Sequence, residues 1–297
     1  MFMTNQETSP ELCSSRAYVA SEERIEAMSH LLIGIYEGTH RGPVKILDVC
    51  RESDIEHALK IARESAPGIP VIGLATDTTA EDLPKDTPFH TSHLLTGQRN
   101  HSLTPERHFN GSEVAMTNLG KFLLNDHSRL TFYSAFNPYC LRLGKLATPS
   151  LVEEFLGEIE QIHGNRRPGI VIVPPAALQE PREIEKTLNA LRHVKEDMPI
   201  LFGAEVSYSG IKQAMGYSKD YNGSVKIDPS RLIQYFERYN ELLKKTGLEP
   251  MAAVRVAGVC GFSASDKKAR ENYTQSMCNG TLYNTLCAFN SAYYRKS

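Results

Sequence analysis

The sequence predicts an α/β protein of the (β/α)8 TIM-type barrel class, and three observations lead there. Short β-branched apolar runs alternate with amphipathic helical segments along most of the 297 residues. The runs are near-continuously apolar instead of alternating, as expected of strands buried on both faces of a parallel sheet. Eight such strand-then-helix units in about 250 residues match the size and rhythm of the barrel. A doubly wound sheet shares this local pattern, but neither an early GxGxxG nor a GxxxxGK[ST] stretch marks one.

The elements follow in order. RAYVAS (16–21) reads as a weak first strand, followed by a helix with Ile25, Met28, Leu32 and Ile35 on one face. VKILDVC (44–50) is the second strand. Ser53 and Glu56 form a capping box for a helix that turns Ile55, Leu59 and Ala62 inward and stops before Pro67-Gly68. PVIGLATD (70–77) and SHLLTG (92–97) are the next strands, and a helix is expected over 112–125 with Leu119, Phe122 and Leu123 inward. LTFYSAFNP (130–138) is the fifth strand, followed by a helix with Ser150 and Glu153 as a second capping box. GIVIVPP (169–175), PILFGAEVS (199–207) and AAVRVAGVCGF (252–262) complete the eight. Before the last of them, Asp228-Pro229 supplies a cap and first-turn proline for a helix ending at Gly247. Residues 1–13 are expected as a flexible leader, 14–264 as the barrel and 265–297 as a partly helical extension.

Composition narrows the partners. With 33 Lys+Arg against 35 Asp+Glu the net charge is -2, so nothing general favours nucleic acid or an anionic membrane. No apolar run reaches membrane-spanning length, and MFMTNQETSPELCSS is polar after Met3, so a cytoplasmic protein is expected. The six cysteines contain no CxxC pair and are expected as free thiols. Cys50, Cys140 and Cys260 fall near strand ends, but free cysteine is commonly a small buried hydrophobe, and no metal is expected.

In a barrel of this type the chemistry lies at the carboxyl ends of the strands. Candidates in order are Glu22 and Glu23, Asp48 with Arg51, Asp77, Gln98 with Arg99, Asn137, Glu205 with Ser207 and Tyr208, and Cys260. Asp48 and Asp77 have a second reading as ordinary turn caps, and Gln98-Arg99 as the start of a solvated loop. Glu205 is the most informative, because a carboxylate inside the apolar run ILFGAEVS is costly unless partnered. It is read either as catalytic or as the partner of a barrel residue such as Arg255.

The order of strand ends over about residues 90–262 resembles the methylenetetrahydrofolate reductase family, carried by spacing more than by identity. HLLTGQ (93–98) is similar to that family's Leu-Arg-Gly-Asp strand end, with Thr96 and Gln98 in place of the arginine and the acid. SAFNP (134–138) is similar to its Ala-x-Tyr-Pro-Glu, with Asn137 at the tyrosine position. IVIVPP is similar to Ile-Ile-Thr-Gln with Val173 and Pro174 at the last two positions, and LFGAEVS shares Gly203 with Pro-Gly-Ile-Met-Pro. The departures fall on the residues that do the family's work. No Glu-Phe-Phe-Pro-Pro follows the first strand, where Glu22 or Glu23 stands instead.

The resemblance implies a barrel that binds FAD and NAD(P)H and acts on a folate-type one-carbon carrier. The polar residues at the strand ends then suggest proton transfer by Glu205 or Glu23, heterocycle recognition by Gln98 and Asn137, and an anionic tail at Arg99, with Asp48, Asp77 and Tyr208 as further ligand contacts. Gln98 hydrogen-bonds but does not titrate, so it does not replace the acid. Two other classes stay open: a cofactor-independent lyase or isomerase using Glu205 and Asp48, and a non-catalytic barrel subunit. In the last, the tyrosines of 216–221 and Tyr283, Tyr293 and Tyr294 offer contact area to a protein partner or a second copy.

Overall fold

A computed structural model describes residues 20–49, 54–65, 67–74, 89–93, 113–118, 137–143, 148–163, 169–173, 185, 188, 189, 191, 192, 198–207, 218, 219, 225, 226, 228–259 and 279–295. The strands are β1 (Val44–Val49), β2 (Ile69–Leu74), β3 (Phe89–His93), β4 (Val114–Asn118), β5 (Tyr139–Arg142), β6 (Ile170–Val173), β7 (Ile200–Ser207) and β10 (Ala253–Val259), with β8 (Ser218–Lys219) and β9 (Val225–Lys226) forming a small separate hairpin. The helices are α1 (Glu22–Tyr36), α2 (Ile55–Ser65), α3 (Pro149–His163), α4 (Pro229–Lys245) and α5 (Asn279–Tyr294). The eight long strands pair in the order β1-β10-β7-β6-β5-β4-β3-β2, each pair parallel, and close into a barrel.

Strand periodicity sorts the side chains into two cores. Val44, Ile46, Val71, Val114, Met116, Cys140, Val171, Leu201 and Ala253 fill the barrel interior. Met28, Leu32 and Ile35 of α1 join them and close its amino end. The alternate residues, among them Leu47, Ile72, Tyr139, Leu141, Phe202, Val254 and Val256, pack outward against the helices through Phe155, Leu232, Phe236, Leu286 and Phe289. Both faces of β1, β2, β5, β7 and β10 are therefore apolar, which is why the sequence shows runs in place of alternation there.

Local signals set several helix boundaries. Ser21, expected to end a strand, instead caps α1 by accepting from the Arg24 N–H, and the described part of RAYVAS is not strand. Asp228 caps α4, accepting from the Ser230 N–H at 2.9 Å, and Gly247 ends that helix at φ 73°. The expected Ser150 capping box is not used. Thr148 holds the Leu151 N–H at 3.4 Å because Pro149 takes the first helical position and moves the cap back by two residues.

The largest correction concerns 112–125. The part described, Val114–Asn118, is a strand that pairs with β3 and β5 and sends Val114 and Met116 inward. Pairing on both edges and burial in the barrel make these residues strand; Leu119, Phe122 and Leu123, on which the helical expectation rests, lie outside the described residues. The fifth expected strand is displaced too: Asn137 and Pro138 lead into β5, which begins at Tyr139. Within the segment expected as an extension, α5 is the part described, and it belongs to the helical layer. Between them, α2 and α4 hold α5, with Leu282, Leu286 and Phe289 fully buried.

The α2–α5 contact is organised by a buried lysine. Lys45 points outward from β1, and its Nζ donates to the Ala62 carbonyl oxygen at 2.8 Å and to Ser65 Oγ at 3.2 Å, at the carboxyl end of α2. Asn290 of α5 donates to the Ser65 carbonyl oxygen at 3.2 Å. Burial lowers the Lys45 ammonium from 10.5 to about 8, against an opposing pull from Cys287. The folded protein thus binds fewer protons than the unfolded chain between about 8 and 10.5, so stability rises with pH across that window. The gain is expected to reach about 3 kcal/mol and to vanish in Lys45→Met. Urea denaturation of both proteins from pH 7 to 10.5 measures it, and parallel pH dependences would contradict it.

Candidate functional site

Charged side chains from four strands meet inside the carboxyl half of the barrel. Asp48 is the last but one residue of β1, Glu205 lies two before the end of β7, Arg142 closes β5, and Arg255 is the third residue of β10. Arg255 stands in register with Ile46 on one side and Glu205 on the other, so the stagger of the barrel strands places it between the two acids. β10 bulges at Gly258, where φ is 75°, so that Asp48 pairs with Ala257 and Val49 with Val259. A bulge of this kind bends a strand where it borders a site.

Glu205 is the hub. Arg142 binds it along one edge of the guanidinium, Nε donating to Oε2 at 2.6 Å and Nη2 to Oε1 at 2.7 Å. Arg255 Nη1 donates to the same Oε2 at 2.5 Å, and Arg255 Nη2 donates to Asp48 Oδ2. Both Glu205 oxygens are therefore committed to guanidinium donors, in the charge-assisted bonding that makes burial of such groups tolerable. Exposure is graded outward, with side chains at 0% for Glu205, 5% for Arg255, 15% for Asp48 and 37% for Arg142. Burial pulls the Arg255 guanidinium down, but Asp48 and Glu205 outweigh it and raise the group above its ordinary value.

The surroundings hold this network in place. Tyr235 of α4 donates its hydroxyl to the Glu205 backbone oxygen at 3.2 Å, and burial, followed by the Glu205 charge, raises its phenol so that it stays neutral. Cys140 lies inside β5, two residues before Arg142, and not at a strand end as expected. Burial pushes its thiol up to about 12, which leaves it unreactive because the thiolate is the species that attacks or binds metal. Among the described residues no cluster of three His, Cys, Asp or Glu side chains is placed to hold a metal ion.

Of the residues singled out in the sequence, the structure joins Asp48 and Glu205 through Arg255, in the ion pair that was one of the two readings of Glu205. Asn137 is buried but precedes β5, so it sits at the amino end of the barrel and not at a strand's carboxyl end. The cause is the displaced strand. Glu23 is exposed in the first turn of α1, next to Arg24, which pairs with buried Glu113 just before β4 and lies over the Phe89 ring at the start of β3. That too is the amino end, away from Glu205. Asp77, Gln98, Arg99 and Tyr208 lie outside the described residues; in sequence they follow β2, β3 and β7. On α5, Tyr283 and Tyr294 are exposed, whereas Tyr293 packs against Phe289 with ring centroids 6.2 Å apart. No helix of the described residues is long and apolar enough to cross a membrane.

Arg142 is the residue that sequence reasoning missed. It follows the run TFYSAFNPYCL directly, and a strand placed four residues later would have put it at a strand end.

No family model and no curated protein sequence matches this chain. Similar solved structures include a dihydropteroate synthetase with product, at 9% identity and TM-score 0.46 over 86% of this chain and 92% of that one. A dihydropteroate synthase of Xanthomonas albilineans, in complex with indole-2-carboxylic acid and 6-chloroguanine, has 12% identity and TM-score 0.46 over 86% and 94%. A fructose-bisphosphate aldolase of Campylobacter jejuni has 13% identity and TM-score 0.39 over 95% of each chain. Likeness of this degree carries no weight for the site.

Proposed function

We propose that this barrel binds a small polar heterocycle of the folate one-carbon class at its carboxyl mouth and acts on it there. The observation that supports the reading is the Asp48–Arg255–Glu205–Arg142 network, which offers carboxylate acceptor and guanidinium donors side by side, with Arg142 its most exposed member. A pterin presents the complementary edge: amino and ring N–H donors suited to Asp48, and a carbonyl oxygen suited to a guanidinium. Glu205 is the positioning residue that fixes both arginines. Gln98, Arg99, Asp77 and Tyr208, outside the described residues, are the further contacts that the order of strand ends suggests.

The finer reading is reduction of that carrier with NAD(P)H and FAD. A flavin's pyrimidine edge carries the same alternation of carbonyl and N–H, so the described donors and acceptors fit it. When bound, the flavin supplies the hydride relay; the chain's own residues orient the rings and exclude water.

The test is thermal melting with reduced folates and with FAD, together with the absorption spectrum of the fresh protein. A ligand at about 100 times its Kd stabilises by about 2.7 kcal/mol, which such melts detect readily. A flavin band supports the reductase; stabilisation by folates without it supports flavin-free folate chemistry. Indifference to both ligand classes would sink the proposal.

One observation favours a second reading, a cofactor-independent lyase or isomerase. A carboxylate beside a guanidinium, as Asp48 is beside Arg255, is the pairing that proton abstraction next to a carbonyl requires. In that case a folate-indifferent protein loses turnover of a small oxo-acid on Asp48→Asn.

A further inference from the structure

We infer that the outward edge of Arg142 is a carboxylate subsite, selective for a single planar carboxylate over a phosphate dianion. This deepens the proposed function and rests on it for the location of the ligand. A guanidinium has five N–H donors, arranged as edges that each match a carboxylate. Arg142 spends the Nε–Nη2 edge on Glu205, leaving both Nη1 donors and the second Nη2 donor. Its side chain is 37% exposed while Glu205 is fully buried, so Arg142 reaches solvent beyond the edge it spends on Glu205. Among the described residues no acceptor meets the remaining donors.

Arg255 agrees on the sign of the missing partner. Arg255 gives Nη1 to Glu205 and Nη2 to Asp48, yet its Nε–H, in a side chain 5% exposed, has no hydrogen-bond partner among the described residues. A buried donor left unpaired is costly. The remaining donors of the two arginines are thus complemented by an acceptor, beside the acceptor that Asp48 itself contributes to the network.

Charge then selects among acceptors. Two arginines and two carboxylates sum to zero formal charge, so no net positive charge stands ready for a dianion, and Asp48 and Glu205 repel each added negative charge at short range. Glu205 also pre-orients Arg142, so the free edge is rigid and planar. A rigid planar edge takes two oxygens of a carboxylate or of a phosphate alike, so the charge count is what favours the singly charged carboxylate.

The probes are benzoate, its neutral isostere benzamide, and inorganic phosphate, titrated into the full chain while the arginine Nε–H signals are followed by ¹⁵N-edited NMR. Benzoate is expected to bind saturably and shift the Arg142 signal, at least tenfold more tightly than benzamide or phosphate at pH 8. Arg142→Lys keeps the charge but loses the planar edge, and is expected to weaken benzoate at least tenfold. Phosphate binding as tightly as benzoate, or benzoate leaving the Arg142 signal unmoved, would overturn the subsite, and the wild-type titration decides this even if the variant folds poorly. Because these probes carry no heterocycle, folate binding without a benzoate response defeats only the subsite. A benzoate response without folate binding defeats only the choice of carrier.

Discussion

Glu205→Ala is expected to destabilise the protein by about 3–5 kcal/mol, the range for breaking a buried ion pair by removing one partner. Three guanidinium N–H donors lose their acceptors at once, and Arg255, in a side chain 5% exposed, is left with Asp48 alone. For a chain of this size the fall in Tm is of the order of 10 °C. Arg142→Ala is expected to cost less, because its side chain is 37% exposed and the donor it leaves behind for Glu205, Arg255 Nη1, is still in place. The double variant should recover part of the sum, since the two residues share one bidentate bond. Urea denaturation of the single and double variants measures the cycle. Additive effects would mean that the Arg142–Glu205 contact carries no coupling.

The other large effect is at the opposite end of the barrel. A Cβ added to Gly169, the residue before β6, would run into Leu32 Cβ and lie 2.9 Å from Leu32 Cδ1. Real Cβ atoms do not approach so closely, and the first obstacle is the root of the leucine side chain, which no rotamer change moves. Gly169→Ala must therefore displace α1, the helix that closes the amino end, at a cost at or above the upper part of the 1–3 kcal/mol usual for overpacking. Leu32→Ala in the same chain does not relieve the clash, because alanine keeps the offending Cβ; Leu32→Gly does, while losing core packing of its own. A Gly169→Ala protein with wild-type stability would show that α1 does not sit against β6 as described.

Much of this architecture was legible in the amino-acid order, with instructive exceptions. Among the described residues the barrel has eight strands, as expected, but the described end of RAYVAS is not one of them and VAMTN is. The first looked β-branched and is followed by a real helix. The second lies in a stretch whose later residues keep helical spacing, and only pairing with β3 and β5 makes it a strand. A barrel interior accepts any small apolar pair facing inward, here Val114 and Met116, so the local preference of one short strand decides little.

The site shows the same division. Glu205 stood out because a carboxylate within an apolar run demands a partner, and Arg255 on the neighbouring strand was readable as that partner. Asp48 was readable at the end of its run. Arg142 and Asn137 exchanged meanings: placing the fifth strand a few residues early put Asn137 at the mouth and left Arg142 in a loop, whereas the structure does the reverse. Register is what sequence patterns specify least when both faces of a strand are apolar, since no polar face marks a slip.

The account stands most directly on whether ligand meets the Asp48–Arg255–Glu205–Arg142 network. Calorimetric titration of a reduced folate into wild-type protein and into Arg142→Lys tests it in one comparison. Binding to the wild type with at least tenfold loss in the variant, whose fold is verified by its melting transition, is the predicted result. Equal affinity in the two proteins would contradict it and place the ligand elsewhere.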